Sequence, residues 1–354
     1  MIMLLSDVVG CIRSCMARQF GFRRVVVGLM IWIGGVGGVA HAATSAEGQA
    51  IEDATASAFW WGDFNELERL NAIYQRPGQR TQQGFSKLAY FRSGLDRVLK
   101  GQKGDTDAYF DELERLTLEW ANQYPRSALA HVLHAGSLHA HAWSFRGTGY
   151  ANTIMPQALD QYVAYEKRAA DYLAAHTEVA LKDSRAHAYL IEIGRALNWT
   201  FEQTWAVAQS GLALNSDDDA LYFSVLTRTL PKWGGSAIEV DRYVNLVLAR
   251  TQNELGMEWY ARLYSDASDS QFQNDLFTDS LAQWPKMKQG FTDRLSRYQA
   301  PITLNRIARF ACLARDKPTL VAALAKVGPK PDLDAWGTNS QRNFQACKQW
   351  AATP

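Results

Sequence analysis

The chain has 354 residues, 47% of them hydrophobic and 12% aromatic, and its 37 basic residues meet 36 acidic ones for a net charge of +1. That much apolar material builds a sizeable core, which excludes a disordered or collagen-like chain. The balanced charge leaves no electrostatic footprint for nucleic acid or for an anionic membrane.

Residues 1–42 read as a secretory signal. Arg18, Arg23 and Arg24 form a basic start, and Val25–Val39 is an uncharged run of 15 residues with five glycines. That run falls short of the roughly 20 apolar residues of a membrane span and suits a signal core. Ala40-His41-Ala42 supplies the small residues of a cleavage site. Cleavage after Ala42 leaves 312 residues; four arginines and one aspartate leave with the signal, so the charge moves from +1 to −2. Met16 begins a tidier signal than Met1 does. Residues 43–60 are expected to form a flexible leader.

From residue 61 to 336 the sequence predicts helices in pairs. Tyr109, Leu113, Leu116, Trp120 and Tyr124 repeat at the spacing of one helix stripe, as do Val240, Tyr243, Val244, Val247 and Leu248. Asp63 with Glu66, Thr200 with Gln203, and Ser236 with Glu239 fit the capping-box spacing or a close variant. Prolines at 125, 231, 285 and 301 fall between the periodic segments. The pairs run about 106–123 with 127–145, 156–181 with 184–196, 201–213 with 218–229, and 237–254 with 256–265. Further segments are expected near 271–283, 287–298, 302–314 and 317–327. The joints at 182–186 and 215–219 begin about 33 residues apart, close to the tetratricopeptide period. The fold class this implies is all-α, an array of antiparallel helix pairs. Asp217–Asp219 read as a solvated helix start. A last helix is expected within 337–354.

Scattered motifs strengthen that reading. Phe64, Leu67 and Glu68 precede Ser86-Lys87-Leu88, Tyr90-Phe91 and Gly94-Leu95. Pro125 and Ser127 lead to Ala142-Trp143 and Arg146-Gly147. Leu230-Pro231-Lys232-Trp233-Gly234-Gly235 follows, then Trp284, Met287-Lys288 and Gly290-Phe291, and finally Leu304-Asn305 and Ala311-Cys312. In this order, over residues 60–336, they resemble the bacterial domain-of-unknown-function family numbered 4034. The resemblance implies a bacterial helical-repeat protein and carries no catalytic residues.

His131, His134, His139 and His141 lie within eleven residues. At 100° per residue, three of them share an arc of about 80°, with His139 pointing elsewhere. His134 and His141 stand roughly 10 Å apart along the axis, too far for one zinc ion. The helix itself carries neither HExxH nor a carboxylate to complete a site. The expected role is helix packing with polar tips exposed; no metal and no cofactor is expected. There is no Gly-x-Ser-x-Gly elbow, P-loop or Cys-x-x-Cys.

Trp143, Arg146 and Trp233 are the candidate partner-binding residues. Arg146 offers a bidentate fork beside Trp143, although Gly147 also reads as a simple helix end. Trp233 sits in a turn that Pro231, Gly234 and Ser236 explain structurally. Trp60-Trp61 and Trp199 with Trp205 read as wedges between helices. Only Cys312 and Cys347 remain after signal cleavage, and export permits them to bond. Such a bond would clip the C-terminal helix onto the last hairpin.

Taken together, the expectation is a non-enzymatic, periplasmic or secreted helical-repeat protein that binds a protein or peptide. The competing expectation is an envelope hydrolase or metal-dependent enzyme using the His131–His141 helix. Three or more acids or histidines converging in one pocket would favour the enzyme.

Overall fold

The computed structural model describes residues 46–101, 107–147 and 153–353. Residues 1–42, expected to be a secretory signal, lie outside these residues. Among the described residues every regular element is helical, apart from one isolated bridge between Arg80 and Ser86. The all-α architecture expected from the periodicity is present.

The first helix, α1 (Ala46–Trp60), corrects the expectation of a flexible leader over 43–60. It buries Thr55, Ala56 and Phe59 against α3 (Lys87–Lys100), and α2 (Phe64–Tyr74) packs on both. Its apolar positions Ile51, Thr55 and Phe59 repeat every four residues, enough to seat one face on a neighbour. The Trp60-Trp61 pair is no wedge: the two side chains are 55% and 85% exposed at the helix end.

The array then proceeds by pairs. α4 (Asp107–Gln123) packs on α5 (Ala128–Arg146), and α5 packs on α6 (Pro156–Ala175). The segment expected to run through 181 breaks at His176, leaving a single turn, α7 (Thr177–Ala180). α8 (Ser184–Ala196), α9 (Phe201–Leu214) and α10 (Asp219–Thr229) pack on one another, followed by α11 (Ala237–Leu255) and α12 (Glu258–Ala267). Thr200 and Gln203 form a complete capping box, while Asp63 and Ser236 each accept the expected backbone N–H.

The helix expected near 271–283 is absent. α12 instead runs into a π-helical turn at Ser268–Phe272, a 3₁₀ turn and the short α13 (Leu276–Asp279). Ser268 and Ser280 there bond local backbone carbonyls, which offers the chain an alternative to the helix ladder. α14 (Trp284–Arg297), α15 (Pro301–Leu313), α16 (Lys317–Val327) and α17 (Ser340–Ala352) complete the chain. Cys312 and Cys347 are bonded, with Cα atoms 5.8 Å apart, so α17 is clipped to α15 as the sequence predicts.

One connection matters for the whole array. The loop between α2 and α3 crosses the N-terminal ends of α8 and α10 and reaches α14. Arg92 bridges Asp183 (2.7 Å) and Asp218, Arg80 meets Asp219 (3.3 Å), and Arg294 donates to the Gly84 carbonyl (3.3 Å). Two of the three aspartates read as solvated are therefore buried, Asp218 at 3% and Asp219 at 7% exposure, while Asp217 stays partly exposed. Their partners lie more than 120 residues away for Arg92 and Asp218, beyond the reach of local pattern.

Candidate functional site

α5 is the central helix of the site. Ser127 caps its start by accepting the Ala130 N–H, and Gly147 ends it at φ +60°, as read from the sequence. Alanine, leucine and valine occur all around its circumference, so it is buried between α4 on one side and α6 and α8 on the other. All four histidines are buried with it. None keeps the exposed polar tip expected of it, because α5 is buried all round from 129 to 139 and again at 141 and 142.

Each imidazole has a different environment. His131 Nε2 lies 3.2 Å from the Pro125 carbonyl, which can only accept; Nδ1 therefore accepts from the Tyr172 hydroxyl at 2.8 Å. The His131 ring also stacks on His176. His134 meets Thr117 at 3.1 Å, and burial pushes its pKa down to about 4. His141 is held between Phe110 and Phe145, with Nδ1 2.6 Å from Glu114.

His141, Glu114 and Asp111 form the one group among the described residues whose ligand atoms lie close enough together, within 4.8 Å, to hold a metal ion. Glu114 and Asp111 come from α4, so the helix-by-helix reading of the sequence had no means of supplying them. The second oxygen of Glu114 already carries the Arg168 guanidinium at 2.7 Å. That cation fills the charge a metal would neutralise.

His139 points away from the other three, as the helical angles predict, and lies between two carboxylates. Its Nδ1 is 2.9 Å from Glu166 on α6, and its Nε2 is 3.1 Å from Glu192 on α8. Burial works to lower its pKa, but the two carboxylates more than offset this and hold it at about 9. The reciprocal effect keeps Glu192 far below the usual carboxylate range despite its burial. His139 is thus a fixed imidazolium, and both ring nitrogens are occupied.

Next to His139 lies a cavity of about 300 Å³, walled by α3, α5, α8, α10 and the end of α12. Leu99, Phe110, Ala140, Trp143, Tyr189 and Phe223 make most of its lining apolar. Gly136 belongs to the wall because a Cβ there would sit 2.6 Å from the Tyr189 hydroxyl, so only glycine admits that ring. Asp96, His139, Glu192 and Asp266 all face the cavity. Asp96 is taken by Arg185, which contacts both its oxygens at 2.7 Å, and Glu192 by His139. Burial, reinforced by Asp269, raises the Asp266 pKa to about 7 against the opposing pull of Arg306 and Lys232.

The three residues singled out as partner-binding meet beside this cavity. Trp143 and Trp233 are 90 positions apart in sequence, yet their rings lie edge to face, 6.4 Å between centroids. Arg146 sits 5.0 Å from the Trp143 ring centroid and 5.2 Å from that of Trp233. It also donates to the Gly147 carbonyl, the role its position at the helix end predicts. The turn at 230–236 is built as expected, with Pro231–Trp233 in a 3₁₀ turn and Gly234 at φ +85°.

Sequence reading missed Arg195, the fourth member of the group. Its guanidinium stacks 4.3 Å from the Trp233 ring centroid and 5.6 Å from that of Trp143. It makes no hydrogen bond or ion pair among the described residues, and its Nε is buried without a partner. A basic residue in the last turn of α8 looks like a favourable helix terminus and no more. Only the turn that brings Trp233 across exposes its second role.

No family model, curated protein or solved structure matches this chain.

Proposed function

We propose that this chain is a non-enzymatic helical-repeat protein of the bacterial envelope that binds a protein or peptide partner. The single observation carrying the reading is the convergence of Trp143, Arg146, Trp233 and Arg195 beside a largely apolar cavity. Tryptophan and arginine combine large contact area with directional hydrogen bonding, the chemistry of binding anchors. Export agrees with the Cys312–Cys347 bond, which persists in oxidising compartments, and with the absence, among the described residues, of a helix long and apolar enough to cross a membrane.

The test is capture of partners from envelope extracts by the exported chain, beside its Trp143→Ala and Trp233→Ala variants. A protein retained by the wild type and lost from both variants is expected. Equal capture by all three would remove the reading. The exported chain should begin at Ala43 on N-terminal sequencing.

The four acids and histidines facing the cavity favour a second reading, an acid–base hydrolase with Asp266 as the proton donor. Two of them are neutralised by Arg185 and His139, and His139 has no free nitrogen, so the first reading is better supported. Turnover of chromogenic esters or aryl glycosides, abolished in Asp266→Asn, would establish the hydrolase; none is expected.

A further inference from the structure

Among the described residues, the pairing around the cavity leaves one guanidinium with no hydrogen-bonded partner, near Glu192 only through space. Asp96 is matched by Arg185, and the His139 imidazolium is shared by Glu166 and Glu192. Arg195 is left without a hydrogen-bonded carboxylate, yet it lines the cavity and is half-buried against Trp143 and Trp233. A second guanidinium, Arg146, lies over the same two rings and is close enough for Arg195 to lower its pKa, after burial itself. Lys100 stands exposed on the wall at the end of α3. Holding two guanidiniums over one tryptophan pair costs electrostatic free energy that an anion between or beside them would return. Leu99, Phe110, Ala140, Trp143, Tyr189 and Phe223 make most of the lining apolar, so a bare inorganic anion would leave most of the space unfilled.

We propose that the cavity is a binding site for an organic carboxylate with an apolar or aromatic body, its anion seated on the Arg195 guanidinium. The inference rests on the reading of this cavity as a binding site, and not on the ligand being a peptide. The carboxylate belongs either to a peptide C-terminus with an apolar last residue or to a free small acid. Trp143 and Phe223 would flank the body. Trp233 covers one face of the Arg195 guanidinium, and the N–H donors lie in the guanidinium plane, where that stacking does not block an anion.

Isothermal titration of the exported chain decides it. One pair of ligands is 3-phenylpropionate and its neutral amide; the other is a short peptide ending in phenylalanine, as free acid and as amide. At least one acid is expected to bind, with its amide weaker by tenfold or more. Arg195→Gln, which removes the charge and keeps much of the length, should weaken the acid at least tenfold, while Arg195→Lys keeps part of the affinity. Absence of binding by both acids, equal binding of acid and amide, or an unchanged affinity in Arg195→Gln would each overturn the proposal. Should the variant fail to fold, the acid-against-amide difference on the unaltered chain decides alone. Binding of the small acid without the peptide supports the carboxylate site and overturns the peptide reading; binding of the peptide acid supports both.

Discussion

The two ends of the array are tied down by opposite means. At the N-terminal end, α3 and the loop before it are stitched to turns far along the chain by buried ion pairs: Arg92 to Asp183 and Asp218, and Arg80 to Asp219, which Arg262 shares. At the C-terminal end, α17 is held by one covalent bond over an apolar cluster of Ile302, Leu320, Trp336 and Phe344. The first arrangement closes many long loops with charge. The second closes a single 35-residue loop with sulfur. Buried ion pairs fail badly when one partner goes, because the other is left charged in low dielectric. A disulfide fails more gently, because it acts largely on the unfolded chain.

Breaking the N-terminal tie should therefore cost most. Arg92→Met leaves Asp183 and Asp218, 1% and 3% exposed, without their shared cation. A loss of about 3–5 kcal/mol is expected in denaturant unfolding. Adding Asp218→Asn to Arg92→Met should recover part of that loss by removing one stranded charge. A double variant as unstable as the single one would show that Arg92 acts through packing alone.

Opening the C-terminal clip comes next. Cys312→Ala with Cys347→Ala should cost up to about 4 kcal/mol by loop-closure entropy for a loop of this length. Hydrogen exchange should rise in α17 and leave α5 unchanged, since α5 contributes its apolar residues to the other two clusters and none to the one around α17. Faster exchange throughout the chain would mean that the clip supports the whole array.

The two ties also differ in how far the sequence discloses them. Beyond the segment expected to be a signal only Cys312 and Cys347 remain, so the sequence offers a single possible pairing, and the structure contains it. Helix existence was legible for the same reason: the stripe at Tyr109, Leu113 and Trp120 and the caps at Thr200 and Ser236 are local patterns. Arg92 and Asp218 share no pattern at all, and Asp217–Asp219 looked like an ordinary helix start. The candidate site divides the same way. Trp143, Arg146 and Trp233 could be picked as unusual residue types, but their meeting depends on how α5, α8 and the 230–236 turn stack. Arg195 and the carboxylates beside His139 and His141 come from neighbouring helices and left no signal. The burial of all four histidines was misjudged because a helix apolar on every side was read as having a polar face.

A different effect separates carboxylates held charged by an ion pair from one that burial holds protonated. Asp266 ordinarily titrates near 3.8 and does so here at about 7, so between those values the folded chain holds the extra proton. Stability then falls as pH rises through that window, by up to about 1.4 kcal/mol per pH unit, and levels off above it. His139 adds a second decline from about 6.5 to 9, as its imidazolium loses its proton between Glu166 and Glu192. Asp266→Asn should abolish the first decline and leave the second. It should match the wild type near pH 4 and exceed it at pH 8. An unchanged pH profile in the variant would show that Asp266 is not the group titrating there.

The last comparison keeps the geometry and changes only the burial. Arg115 contacts Glu112 at 2.5 Å and Glu119 at 2.6 Å, as close as the contacts Arg92 makes. Both of its partners sit one turn away on the same helix, with all three side chains more than half exposed. Water solvates these ions in the folded and unfolded chain alike, salt screens what remains, and ordering three long side chains opposes the gain. Removing Arg115 strands nothing, because Glu112 and Glu119 return to water. Arg115→Ala should therefore leave the denaturant midpoint unchanged within measurement, at low and at high salt. A shift comparable to that of Arg92→Met would mean that distance, and not desolvation, sets the strength of these pairs, and the contrast between the two ends of the molecule would lose its physical basis.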